Sequence, residues 1–429
     1  MSLFGALNTA ISGLNAQASA FGNISDNMAN SETVGYKAIG TNFLDYLTSS
    51  TPTNNQSGSV AAIPDYENEV QGSVAQSTDP LAMAITGQGF FNVVEQNGTT
   101  NAGGPTFSAS QYYTRTGDFT EDANGYLQND AGEYLEGWAV NPATGDLDTS
   151  TLVPIQVSQS QFAPAATQNI TLQANVPANP TANSALTSQI QVFDSAGSAH
   201  QLSMAFSQVT GTPDTWTLTL SSPDNVPTTS IGTATVTFNP NGTLEGVSAP
   251  TGLVALGTST TNGDLTLTPD FGNGTQTINL NLGVLNQPGG VTQYAGTDLN
   301  VISATQDGVA PGSFTGITTT SEGDIEANFN NGQSVRIARV PVATFADADA
   351  LQRQNGQAFT ATDFSGAGQT QAVNQNGAGG LVIGSTENSS VDIASQLADM
   401  IVAQQAYGAN AKVITTANEL LTTTLDMKQ

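Results

Sequence analysis

Apolar residues recur every seven positions at both ends of the chain and alternate with polar ones between. Leu7, Leu14, Phe21 and Met28 form a stripe near the N-terminus; Ile393, Met400, Tyr407, Ile414 and Leu421 form another near the C-terminus. Such a stripe on a helix needs a partner surface. The spacing predicts helices over 3–29 and 391–427, with Leu3, Ala10, Ile11, Ala18 and Ile24 widening the first apolar face. A second seam on the later helix reads Leu397, Gln404, Ala411, Asn418, Leu425, where polar residues cost stability but fix register. Gly5, Gly13, Gly22 and Gly408 each cost about 1 kcal/mol relative to Ala, and Thr422, Thr423 and Thr424 lower propensity further. Both helices are therefore marginal until packed.

From 66 to 387 the pattern is short alternating runs broken by turns. The clearest strands are 90–94, 190–193, 202–206, 216–220, 233–238 and 335–342, and Asn-Gly pairs begin at 97, 124, 241, 262, 273, 331, 355 and 376. Asn-Gly between alternating runs signals a hairpin. The fold class is thus mainly β with terminal α-helices that form a coiled-coil domain. Residues 48–62, rich in Ser, Thr, Asn and Gly, read as a linker. Segment 144–290 has no base, much Thr and the stretch Pro177-Ala-Asn-Pro180, and reads as an outer β-domain inserted into an inner one. The expected order is a helix at 1–30, a connecting arm at 31–70, an inner β-domain split between 71–143 and 291–354 around the 144–290 insert, a connecting segment at 355–387, and a helix at 388–429.

Charge sharpens this layering. The 429-residue chain has a net charge of −28, which excludes nucleic acid and an anionic membrane surface as partners. Residues 1–30 hold one acid, Asp26, and no base; 388–429 hold four acids against Lys412 and Lys428. Near-neutral ends can crowd against copies of themselves, whereas the acidic middle repels its copies unless solvated. No apolar run is long enough to span a membrane, and the start lacks the basic and apolar regions of a Sec signal peptide.

Candidate chemistry is sparse. There is no Cys and one His, His200, which removes thiolate and multi-His metal sites and leaves little for acid–base work. No cofactor, metal or catalytic residue is expected. Gly87-Gln-Gly89 precedes Phe-Phe rather than a helix, so it is no dinucleotide loop. Asp122-Ala-Asn124-Gly125 fails the calcium-loop pattern, with Thr120 and Ala131 at the end positions, and reads as a hairpin turn. Asp347 and Asp349 could flank a glycosidic bond, and a secreted carbohydrate-binding protein or glycosidase is the reading from a different class. They read better as the start of a short helix near 350. His200 reads as a turn or surface residue. Arg336 and Arg339, rare bases in an acidic chain, are expected to pair with acids of the same or a neighbouring subunit.

The most specific stretch is Asn27-Met-Ala29-Asn30-Ser-Glu-Thr33-Val-Gly35-Tyr36-Lys37. Asn30 is a plausible helix C-cap, Gly35 supplies a positive φ, Thr33 bonds the local backbone, and Tyr36 and Lys37 begin an extended arm. The run resembles the signature that follows the first helix of bacterial flagellar axial proteins, the rod and hook family. Ile85-Thr-Gly-Gln-Gly-Phe-Phe91, Tyr113-Thr-Arg-Thr-Gly-Asp-Phe119, Asn124-Gly-Tyr-Leu127 and Gly137-Trp138 resemble its strands and hairpins. Val391-Asp-Ile393 through Met400, Gln404, Tyr407 and Asn410-Ala-Lys-Val-Ile414 resemble its terminal helix. The insert, with Phe193-Asp-Ser-Ala-Gly-Ser-Ala-His-Gln-Leu202, Trp216 and Phe238-Asn-Pro-Asn-Gly-Thr-Leu244, resembles that of hook members rather than the shorter distal rod members. Gln405, where Arg is common, and Ser389-Ser390, where Ser-Asn is usual, depart from the pattern.

The resemblance implies a non-enzymatic subunit of an extracellular flexible tube in the flagellum, a homopolymer that transmits torque. It further implies rod, hook–filament junction, hook cap and export-apparatus partners, and type III export without a cleaved Sec signal.

Overall fold

The computed structural model describes all residues except 1–2, 52–53, 101–103, 142–143, 181–184, 228, 252–253, 256–260 and 428–429. Two long helices, α1 (Leu3–Ala29) and α2 (Ile393–Asp426), bracket the β-structure. Two compact units result: residues 1–159, 316–328 and 334–429 form one, and 160–315 with 329–333 form the other.

In the first unit the stretch read as a linker is instead a long two-stranded ribbon, β1 (Ile39–Thr51) against β2 (Asn54–Tyr66), antiparallel from Ile39↔Tyr66 onward. Its small polar residues lack a strand's usual signature, but the ribbon lies along α1, which supplies the side-chain packing that propensity does not. Ser12 Oγ accepts from Val60 N (3.0 Å), and Asn23 Nδ2 donates to Gly40 O (3.1 Å).

The body of this unit is a sheet in which Phe90–Thr99 pairs antiparallel with Glu133–Ala139, Tyr112–Thr114 and Val342–Thr344. Phe90, Tyr113, Ala343, Ala348, Leu351 and Phe359 make one of its cores. Segment 355–387 is therefore not a mere connector. Ala358–Thr360 pairs with Tyr112–Thr114, Gly380–Ile383 with Met83–Thr86, and Ser385–Glu387 with Val74–Gln76, each satisfying backbone groups that a free linker would leave to water. The run 335–342 is two strands, Ser334–Arg339 and Val342–Thr344, because Pro341 between them has no N–H to give the ladder. No helix begins at Asp347; its Oδ1 accepts from Asp349 N (3.1 Å) and Ala350 N (3.3 Å), closing a turn.

The second unit is a sandwich. A five-stranded meander runs Leu186–Phe193, Ala199–Gln208, Thr215–Ser221, Ser230–Phe238 and Leu244–Thr251. The other sheet holds Asn169–Asn175 between parallel partners Ile278–Val284 and Val291–Thr292 and antiparallel Asn300–Gln306. Alternation is strict where both faces differ: Trp216, Leu218 and Leu220 are buried while Thr215, Thr217 and Thr219 are half-buried. One core draws on both sheets, from Ile170 and Leu280 to Phe206 and Trp216, so the insert is a single lobe.

The insert's limits differ from the 144–290 expectation. Val153–Pro154 pairs with Glu133–Ala139 in the first unit, and 291–315 belongs to the second because Asn169–Asn175 recruits its strands. A gap in basic residues marks charge, not strand pairing. Two Asn-Gly pairs, at 97 and 262, lie inside strands at bulges, where the register shifts between Gln96 and Gly98 and between Asn262 and Asp264. His200 lies in the strand Ala199–Gln208, not in a turn. Its ring stacks on Phe271 at 4.1 Å between the carboxylates of Asp224 and Asp194.

Candidate assembly site at the joined termini

The helices α1 and α2 run antiparallel, since Asn27 meets Gln396 and Gly13 meets Asn410. A Cβ added to Gly13 would lie 2.9 Å from Asn410 Nδ2, so this glycine, a weak point by propensity, permits close approach of the two helices.

The seam differs from the simple heptads. On α1 the buried positions are Ala10, Ala16, Ala20, Ile24 and Asn27, while Leu7, Leu14, Phe21 and Met28 are half-buried on its flank. On α2, Met400, Ile414 and Leu421 are half-buried, but Ile393 and Tyr407 are exposed at 46% and 44%. The second seam sits one residue earlier than expected. Gln396, Ala403, Asn410 and Ala417 are covered; Leu397, Gln404 and Asn418 face outward, Ala411 is half-buried, and the Leu425 side chain lies outside the described residues. Small residues win these positions because α1 is covered from two sides, by α2 and by the ribbon, leaving no depth for large side chains.

The motif after α1 is a hydrogen-bonded knot. Ala29 ends α1, and Asn30 Nδ2 donates to Asp26 O (2.8 Å), satisfying a terminal carbonyl. Thr33 Oγ1 donates to Asn30 Oδ1 (3.2 Å). Asn27, 1% exposed, serves three segments: its Nδ2 donates to Ile39 O (2.9 Å) and Gln396 Oε1 (3.0 Å), and its Oδ1 accepts from Ile39 N (2.9 Å) and Tyr36 OH (3.2 Å). Gly35 has φ +68°, and a Cβ there would meet Thr116 N at 2.7 Å. Its N–H donates to Glu387 O (2.8 Å), and Ser390 N donates to Tyr36 O (3.0 Å). Ser390 Oγ accepts from Ala38 N (2.9 Å), so the family departure at this position makes a contact of its own.

Sequence reasoning missed the charges that close this knot. Glu387 is fully buried, takes Lys37 Nζ on Oε1 at 2.5 Å and Arg115 Nη1 on Oε2 at 3.0 Å, and also accepts from Gly72 N (2.8 Å). Lys37 Nζ donates to Val70 O (2.7 Å), and Arg115 reaches Ile85 O (3.2 Å) and Gly87 O (2.6 Å). Burial lowers the Lys37 ammonium to about 8, against the opposing pull of Glu387. Beside them Arg353 donates to Lys37 O (2.7 Å) and Asn68 Oδ1 (3.1 Å) and lies over the rings of Tyr36, Tyr66 and Phe359. The available signal was scarcity: with seven Lys and Arg in the chain, each base was a candidate for a dedicated partner. Arg339 grips Asp324 with Nε (2.6 Å) and Nη2 (2.7 Å), and Arg336 Nη1 lies 3.6 Å from the same carboxylate.

The acids that could have flanked a glycosidic bond or formed a calcium loop accept backbone hydrogen bonds. Asp347 is spent on its own turn and Asp349 Oδ1 accepts from Glu69 N (3.1 Å). Asp122 Oδ1 accepts from Asn124 N and Tyr126 N in a hairpin turn. No described helix is long and apolar enough to cross a membrane.

A chain whose two ends fold back into one helical pair, with β-units looped out between, has the construction of a flagellar axial subunit. Family comparison matches it in successive parts: flagella basal body rod protein over 7–37, flagellar hook protein FlgE/F/G D1 domain over 84–176, flagellar basal body protein FlaE D2 domain over 164–309, and flagellar basal body rod FlgEFG protein C-terminal over 383–427. The flagellar hook protein FlgE of Brucella abortus is 33% identical, with all of both chains covered. That of Escherichia coli is 29% identical over 99% of this chain and 100% of its own. The crystal structure of Helicobacter pylori flagellar hook protein FlgE2 shares the fold, with a TM-score of 0.50 at 14% identity over 72% of this chain and 98% of that one. The chain belongs to the flagellar hook protein family. It is a structural subunit of the bacterial flagellum, and neither a distal rod protein nor a glycosidase is favoured.

Proposed function

We propose that copies of this chain polymerise into a helical tube that bends while rotating and passes torque from rod to filament. The observation that carries this is the helical pair itself. Joined and locked to the β-structure, it still exposes Ile401, Val402, Val413 and Leu420 on α2 at 45–64%, a cost that a lone subunit has no reason to bear. Fixed inner helices supply continuity along a tube. Acidic, Thr-rich outer β-surfaces supply wet contacts that can exchange as it bends. Rod and hook–filament junction proteins would meet the two ends of the tube, and a cap and the export apparatus would act during growth. Helices of low intrinsic propensity suit passage through an export channel before folding.

Negative-stain microscopy of concentrated protein tests the reading. Curved tubes are expected from the intact chain, and folded but unassembled β-units from chains lacking 1–30 or 391–429. Tubes from either truncated chain would refute it.

A further inference from the structure

Glu95 and Glu133 stand directly opposite each other on antiparallel neighbours of the first unit, Phe90–Thr99 and Glu133–Ala139. Residues so paired put their side chains on one face with Cβ atoms about 5 Å apart, and like charges there are destabilising. The charges that act on Glu133 are those of other acids, Glu95 and Asp118. Glu133 is 3% exposed, and one of its oxygens is satisfied: Oε2 accepts from Asn129 Nδ2 (2.8 Å). Oε1 is buried with no hydrogen-bond partner among the described residues, a costly state for a carboxylate oxygen. This oxygen is turned toward Gly356, where an added Cβ would lie 3.6 Å from it. Both glutamates, together with Asn355 and Gly356, line an open pocket of about 240 Å³.

We infer that this pocket binds a calcium ion between the Glu95 carboxylate and Glu133 Oε1. The two acids supply the charge and the Asn355 amide a neutral oxygen; Ala131 and Gly132 present backbone to the pocket, and water completes the shell. Calcium takes about six to eight oxygens in flexible geometry, whereas magnesium wants a near-ideal octahedron and keeps its water. An open, irregular pocket with two acids therefore favours calcium. Among the described residues no group of three acids or histidines is placed to hold a metal, so the site falls in the weak class of extracellular modules, at about 10⁻⁴–10⁻³ M. Without the ion a proton competes for the place, since burial raises the Glu133 carboxyl to about 7. The bound ion ties three segments together: the strand at Glu95, the turn leading into Glu133, and the turn at Asn355 and Gly356. No spacing in the sequence marks the site, because these residues meet only through strand register. The inference is independent of the polymer reading, as a single subunit carries the whole pocket.

Thermal melting of the unassembled full chain, followed by circular dichroism at one ionic strength, tests the site in chelator, calcium chloride and magnesium chloride. At ten times its dissociation constant, calcium should raise the melting midpoint of the first unit by about 3 °C. Magnesium should do less. Glu133→Gln and Glu95→Gln should each abolish the calcium shift, whereas Glu322→Gln, an exposed acid elsewhere, should keep it. Equal shifts in the two salts, or an undiminished calcium shift in both Glu133→Gln and Glu95→Gln chains, would mean general screening of an acidic chain and overturn the inference. An original chain that calcium does not move would leave a shared proton as the answer to the paired acids, and overturns it too. Terbium, a luminescent stand-in for calcium, gives a second measurement, because the Tyr112 hydroxyl hydrogen-bonds Glu95 and lies close enough to excite it. Terbium emission should fall as calcium is added and should drop in Tyr112→Phe and Glu95→Gln chains. Emission that neither calcium nor Glu95→Gln reduces overturns the site.

Discussion

Lys37 and Glu387, 350 positions apart in the chain, meet at 2.5 Å with both side chains fully buried, and Arg115 closes on the other oxygen of the same carboxylate. The pair joins the segment leaving α1 to the segment entering α2, and Arg115 ties both to the β-structure. The two cations share one anion, so the cluster stays positive and depends on carbonyls of Val70, Ile85 and Gly87 to complete it.

Removing the shared anion should therefore cost more than removing either cation. Glu387→Gln is expected to destabilise the first unit by about 3–5 kcal/mol, the range for stranding a buried charge. Replacing Lys37 with Met in the same chain should recover part of that loss. Urea unfolding of the single and double variants measures it, and additive losses would show that the two residues are not coupled.

Gly35→Ala should destabilise by more than about 1 kcal/mol, because a side chain at φ +68° is strained and its Cβ would press on Thr116 N. The same change at Gly145, also at positive φ but with open space around it, should cost less. Equal shifts in melting temperature would remove the crowding argument.

Two buried groups give opposite pH slopes. Lys37 sits at about 8 instead of 10.5, so between these values the unfolded chain holds a proton that the folded one has released, and stability should rise with pH across that window. Glu133 is raised by burial to about 7 from 4.5. Between those values the folded chain holds the extra proton, and stability should fall as pH rises. Denaturation midpoints measured from pH 4 to 11 check both signs. Lys37→Met should flatten the alkaline limb and Glu133→Gln the acid one.

Trp216→Ala should cost about 3–5 kcal/mol, the range for emptying a buried aromatic site. Trp216 is 1% exposed in the core shared by both sheets of the second unit. The loss should appear as one lowered transition for that whole unit. A variant in which one sheet melts apart from the other would contradict a single lobe.

Seven-residue repeats were enough to place both terminal helices, and alternation was enough to place the strands around Trp216 and Phe91, because each reports a local period that the backbone geometry imposes. The turn at Gly35 was legible for the same reason: only a residue without a Cβ is easy there. What those periods could not give is which neighbour covers a face. The repeat put Leu397 in the seam, but α1 and the ribbon cover the face one residue earlier, with small or flexible side chains at 396, 403, 410 and 417. The ribbon itself, rich in Ser, Thr and Asn toward its tip, becomes a strand pair through its contact with α1. Glu387, an unremarked acid among many, acquires its role only when folding brings Lys37 and Arg115 to it. The chain alone settled local conformation, which depends on near neighbours. The tertiary structure settled partnership, because desolvation and close packing act between residues that the sequence keeps hundreds of positions apart.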